Sequence, residues 1–139
     1  MATISSTEHE RLLRDYVDLW NGDGSNLDTV SESVVIHDPG VEEPIRGRDA
    51  FEAYLDELRT GFPDFHVAID DVLDDDETVM AEWTMTGTHE GEFEGMPATD
   101  REVKLTGMDK LLIADGKVQE HRIHYDVREM FEQLGIGED

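Results

Sequence analysis

Asp126 stands where a strand-like run, RIHY, gives way to a helix-like run, VREMFEQL, and His89 closes the strand-like run that starts at Thr78. A carboxylate and an imidazole brought together form an acid/base pair, because one accepts a proton and the other titrates near neutral pH. Asp126 sits between Tyr125 and Val127, after Ile123 and His124. Desolvation in such an apolar and aromatic setting would raise its pKa towards the range of a general base. The same position suits a helix N-cap, whose carboxylate accepts backbone N–H bonds. The residues alone leave both readings open.

His89 is in phase with Val79, Ala81, Trp83, Met85 and Gly87, so its ring is expected on the apolar face, as a pocket residue or as a hydrogen-bonded core histidine. His124 precedes Asp126 by two residues, and on a regular strand both face one side, which makes His124 a candidate to orient the carboxylate. His121 has the opposite phase and is expected outside, and His66 receives no role. Tyr16 and Trp20 lie one helical turn apart; the stripe reads as core, with Tyr16 able to lean into a pocket and offer its hydroxyl to a carbonyl. Phe51, Tyr54, Phe62, Phe65, Trp83, Met85 and Met108 are the expected apolar walls.

Other chemistries find no matching pattern. The chain has no cysteine, which removes disulfides, thiolate metal sites and cysteine nucleophiles. None of its six histidines falls into a metal-ligand spacing such as HExxH, and Asp38 before Pro39 reads as a turn former. The glycines of GTHEGEFEG lack the lysine and spacing of a phosphate loop and suit bulges or close chain approach. A G-x-S-x-G elbow is absent.

The elements that must position these residues follow from periodicity. Leu12, Tyr16 and Trp20 recur at helical spacing over residues 7–21, and Gly22 and Gly24 stop the helix. A short helical turn is expected around Leu27 to Val30, and VVIHDPG reads as a brief strand ended by Pro39. A second helix starts at Arg48, carries Phe51, Tyr54, Leu55 and Leu58, and breaks at Gly61 and Pro63. Four strands follow, Phe65 to Leu73, Thr78 to Glu90, Arg101 to Ala114 and Lys117 to Tyr125, with Asp115-Gly116 marking a tight hairpin and antiparallel pairing between neighbours. A last helix spans Val127 to Leu134, capped by Gly135. Helices followed by long antiparallel strands imply an α+β fold with helices packed on one face of a bent sheet. Such a cone encloses a pocket of the usual small-molecule kind. One domain over residues 1–139, with its core at about 8–135, accommodates all of this.

Charge narrows the partners. The 35 acidic residues against 11 basic give a formal net charge of -24, which repels nucleic acid and anionic membranes. The acidity runs along the whole chain with only three lysines, a balance like that of proteins from salt-accumulating halophiles. No apolar run is long enough to span a bilayer and the amino terminus lacks a secretory layout, so a cytoplasmic location is expected.

The order helix, VVIHDP, GRDAF helix, FPDFHVAIDDV, TGTHEGEFEGMPATDREV, GMDKLLIADGKVQEH and YDVREMFEQLG resembles the SnoaL-like polyketide cyclases and ester cyclases of the nuclear transport factor 2-like superfamily, from about residue 8 to residue 135. The resemblance implies a cone-shaped α+β barrel, with a strongly curved antiparallel sheet wrapped around the N-terminal helices. It implies intramolecular aldol ring closure without metal or organic cofactor, with Asp126 at the position of the family's general acid/base and Tyr16, His37 and His89 at pocket positions. Arg122 stands where the family commonly has tryptophan, and EGMPATDRE replaces a Pro-Pro-Thr-Gly-Arg turn, departures that bear on substrate identity. The expected ligand is a small apolar carbonyl compound, transformed by cyclisation or a related isomerisation. A non-catalytic module that holds a lipophilic ligand is the alternative. A homodimer formed through the exposed sheet face, with its row Glu82, Thr84, Thr86 and Thr88, is also expected.

Overall fold

A computed structural model describes residues 7–136. Helix α1 (Thr7–Trp20) turns Tyr16, Leu19 and Trp20 inwards, the stripe its spacing dictates. Asn21 then ties its end to the sheet, with its amide donating to the Val67 carbonyl at 3.0 Å and its oxygen accepting from Val67 N–H at 2.8 Å. A 3-10 turn (Gly24–Thr29) follows, capped by Asp23, which accepts from Ser25 N–H. It sits slightly earlier than the sequence suggested and feeds strand β1 (Val30–His37), where Val30, Val34 and Ile36 are wholly buried.

A two-residue strand, β2 (Ile45–Arg46), pairs antiparallel with β1. Helix α2 (Arg48–Gly61) buries Phe51, Tyr54 and Leu58. Strands β3 (His66–Asp75), β4 (Thr78–Thr88), β5 (Glu102–Ala114) and β6 (Lys117–His124) lead to helix α3 (Val127–Leu134), closed by Gly135 in the left-handed conformation at φ 74°. Glycine is favoured there because it has no Cβ to clash.

The six strands form one curved sheet in the order β2-β1-β6-β5-β4-β3, and the fold is mixed α+β as the sequence implied. The pairs β3–β4, β4–β5 and β5–β6 are antiparallel. The all-antiparallel expectation needs one correction: β1 lies parallel to β6. The chain returns to β1 only after crossing the whole sheet, and such long-range pairing leaves no turn signal in the sequence.

Strict alternation puts Val79, Ala81, Trp83 and Met85 of β4 and Val103, Leu105, Leu111 and Ile113 of β5 on the inner face. Gly107 and Asp109 share that parity and interrupt the apolar row. The helices cover the inner face, and the apolar floor, α1 and α2 leave a hollow between them.

Candidate active site

That hollow is a cavity of about 260 Å³ bounded by α1, α2, α3 and the inner face of the sheet. Its walls are mainly aromatic and aliphatic, and among the described residues no lysine, arginine, asparagine, glutamine, serine or threonine lines it. The polar groups that do line it fall into two sets.

The first set is a hydrogen-bonded chain. Asp109 on β5 accepts from Trp83 Nε1–H at 2.6 Å through one oxygen and meets His121 Nε2 at 2.5 Å through the other. The Nδ1 of His121 on β6 lies 2.7 Å from the Tyr16 hydroxyl on α1. A carboxylate only accepts, which assigns the proton of neutral His121 to Nε2 and makes Nδ1 the acceptor of the Tyr16 O–H. Burial pushes the Tyr16 phenol well above the usual range, and the charge of Asp109 adds to the rise; the nearby Trp20 N–H works the other way. The result is a continuous path for a proton from the cavity wall to a carboxylate.

The second set centres on Asp38, just past the end of β1. Tyr54 of α2 donates to Asp38 Oδ2 at 2.5 Å, and Tyr125 donates to Oδ1 at 3.2 Å, which also accepts from Gly40 N–H at 2.8 Å. Burial, reinforced by the Asp38 charge, raises the pKa of both phenols. Glu94 completes this set from the tip of the hairpin Phe93 to Met96, where Glu94 and Gly95 both have positive φ. Partial burial raises the Glu94 pKa, and the charges of Glu57 and Asp38 add to it.

Of the residues singled out in the sequence, Tyr16, Trp20, Tyr54, Phe62, Phe65, Trp83 and Met85 line the cavity, and so do Asp38 and His121, for which no pocket role was expected. Asp126, His124, His89, His37, Phe51 and Met108 lie outside its lining. Asp126 is exposed and caps α3, accepting from Glu129 N–H at 3.2 Å, so the apolar enclosure expected around it is absent. His124 is exposed on the outer side of β6. The phase assigned to β6 is therefore corrected: His121 faces in and His124 out. Ile123 and Tyr125, in phase with His121, line the same cavity and carry the signal that fixes the inward side.

His89 is wholly buried but lies behind the wall, stacked on Phe62 with ring centroids 5.2 Å apart and Nδ1 3.1 Å from Thr99 Oγ1. His37 pairs with Glu120 at 2.6 Å, outside the cavity lining. Phe51 supports the cavity from behind, packed on Tyr16 and Trp20. Met108 is 54% exposed on the outer sheet face, because its parity on β5 is that of Thr106 and Lys110. Asp109 and Glu94 were missed altogether, although Asp109 shares the parity of Leu105, Leu111 and Ile113. Among the described residues no group of three or more His, Asp or Glu converges as metal ligands.

The family model for SnoaL-like polyketide cyclases matches residues 10–134. The chain belongs to the SnoaL-like polyketide cyclase family. It is 30% identical over 130 residues to the aklanonic acid methyl ester cyclase DnrD of Streptomyces peucetius, covering 89% of this chain and 88% of that one. The aklanonic acid methyl ester cyclase DauD of Streptomyces sp. strain C5 is also 30% identical, over 89% of this chain and 80% of its own. Among solved structures, TsrD from Streptomyces laurentii superposes with a TM-score of 0.83 at 24% identity, over 96% of this chain and 98% of that one. IdmH from Streptomyces antibioticus gives 0.78 at 25% identity, over 94% and 100%. Within the SnoaL-like fold the matched segment contains both polar sets described above.

Proposed function

We propose that this SnoaL-like protein is an enzyme that moves a proton at carbon next to a carbonyl in a neutral, largely apolar compound, and so closes a ring by intramolecular aldol addition. The observation that supports it most is the chain Tyr16–His121–Asp109, set in a cavity with mainly aromatic and aliphatic walls. In this reading the Tyr16 oxygen takes the α-proton while its own proton passes to His121 Nδ1, and Asp109 holds the imidazolium that results. The enolate carbon then attacks a second carbonyl of the same molecule. The proton returns through Tyr16 to the new alkoxide, so the product is an isomer of the substrate.

Asp109 carries two roles in this scheme: it fixes the His121 tautomer and balances its charge. Trp83 orients Asp109 in turn. The raised Tyr16 pKa disfavours a free tyrosinate, which is why the two transfers are coupled through His121. Among the described residues no lysine or arginine lines the cavity beside Asp38, Glu94 and Asp109, which favours a neutral ester over a free acid.

The experiment is incubation with aklanonic acid methyl ester, the compound named for the 30%-identical relatives, and with simpler diketo esters. Formation of a product of unchanged mass and new retention, lost in Tyr16→Phe and His121→Gln, is the expected result. Saturable binding with no isomerisation and no exchange of the α-hydrogen with solvent deuterium would instead favour a ligand-holding module.

A further inference from the structure

The second polar set, around Asp38, plays no part in that proton path. Its hydrogen-bond inventory is one-sided. Tyr54 and Tyr125 both spend their O–H on Asp38, which leaves only oxygen lone pairs on these phenols. Asp38 is a carboxylate and accepts, and Glu94 adds carboxyl oxygens at the hairpin tip. Among the described residues the lining supplies no side-chain amide, guanidinium, ammonium or aliphatic hydroxyl to answer them, and the otherwise unpartnered Trp20 Nε1–H lies on the Tyr16 side. On the proton-relay side, by contrast, the Tyr16 O–H and the Trp83 N–H are committed to His121 and Asp109. The cavity is therefore lined at Asp38 by side chains that accept, and a ligand gains there by donating.

We propose that Asp38, with the oxygens of Tyr54 and Tyr125, forms a second subsite that takes a phenolic or enolic hydroxyl of the ligand and sets which of its carbonyls reaches Tyr16. The assignment of the carbonyl to the Tyr16 side rests on the proposed reaction; the hydroxyl preference at Asp38 does not. Its geometry is braced for the purpose. Gly40 N–H and two phenols hold the carboxylate in one orientation, and a Cβ at Gly40 would lie 2.6 Å from the Tyr125 oxygen, so only glycine lets the loop close against that phenol. A site built to accept from a hydroxyl discriminates against an analogue lacking it, because the remaining lone pairs that the ligand covers then lose water without gaining a donor.

The test is calorimetric binding of a matched pair, 6-hydroxy-2-acetylnaphthalene and 6-methoxy-2-acetylnaphthalene, in which a methyl group replaces the hydroxyl proton, so that the Asp38→Asn variant separates the lost donor from the added methyl. Wild-type protein is expected to bind the hydroxy compound at least tenfold more tightly. In Asp38→Asn, which preserves shape and an acceptor for Gly40 N–H, the ratio is expected to fall below threefold while the methoxy compound keeps its affinity. A wild-type ratio near one overturns the proposal whatever the variant does, and so does a ratio unchanged in folded Asp38→Asn. Isomerisation of diketo esters without the hydroxyl preference would sink the subsite alone. The preference without any turnover would leave the subsite standing and sink the reaction.

Discussion

Asp109 receives the Trp83 indole N–H and the His121 imidazole N–H on its two oxygens, whereas Asp126 turns an oxygen to the backbone of its own helix. Both carboxylates are visible in the sequence, but the residues alone left Asp126 open between acid/base and helix cap, and it was the family resemblance that pointed to it. Parity decides otherwise, because Asp109 alternates with Leu105, Leu111 and Ile113 while Asp126 lies beyond the last strand. Asp126→Ala should remove only a cap: unfolding in urea is expected to show a loss of about 1 kcal/mol, with turnover within threefold of wild type. A folded Asp126→Ala protein without turnover would restore the acid/base role to that residue. The three buried phenols give a second prediction. Tyr16, Tyr54 and Tyr125 hold their protons more tightly when folded than when unfolded, so their contribution is complete below about pH 10 and is lost as pH rises above it. Each can remove up to about 1.4 kcal/mol per pH unit beyond that point. Urea midpoints at pH 8, 10 and 11 should stay level and then fall steeply; a flat profile to pH 11 would show that the phenols ionise freely.

Strands β3 to β6 and the three α-helices could be read from the sequence because each carries its own period, of two or of about 3.6, between clear breakers. Strand β2 could not, since two residues have no period, and the parallel seat of β1 against β6 depends on a partner some eighty residues away. Strand β6 was placed but with reversed phase. Val118 and His121 both face inwards with an odd spacing, and the register shift between Leu112 and Ile113 on the neighbouring strand accompanies that slip. The glycine on β5 is the clearest element-scale test. A Cβ at Gly107 would lie 2.2 Å from Trp83 Cζ2 and 2.5 Å from the His124 carbonyl oxygen, so the indole that orients Asp109 fits only against a bare backbone. Gly107→Ala is expected to cost roughly 1–3 kcal/mol and to lower turnover further than that loss explains, because Trp83 must shift off Asp109. Wild-type turnover in a folded Gly107→Ala protein would mean that Trp83 has no part in holding the carboxylate.

At the scale of the whole molecule, charge acts on stability and on ligand choice. A net charge of -24 repels itself across the folded surface, and the screening length falls from about 10 Å at 0.1 M salt to about 3 Å at 1 M. The thermal midpoint should therefore rise on going from 0.1 to 1 M potassium chloride, and a midpoint that falls would contradict the expected relief of repulsion. The α+β cone follows from element order, but its cavity emerges only when α1, α2 and the sheet are assembled, which is why Tyr16, His121 and Asp109 come together from three distant segments. The claim that rests on that assembly is that a proton moves between ligand, Tyr16 and His121 while Asp109 holds the imidazole. Its most direct test is exchange of the α-hydrogen of a bound diketo ester with solvent deuterium, compared in wild type, Asp109→Asn and Asp126→Asn. Exchange is expected to drop at least a hundredfold in Asp109→Asn and to stay within threefold in Asp126→Asn; the reverse order would place the chemistry at the helix cap and contradict the relay.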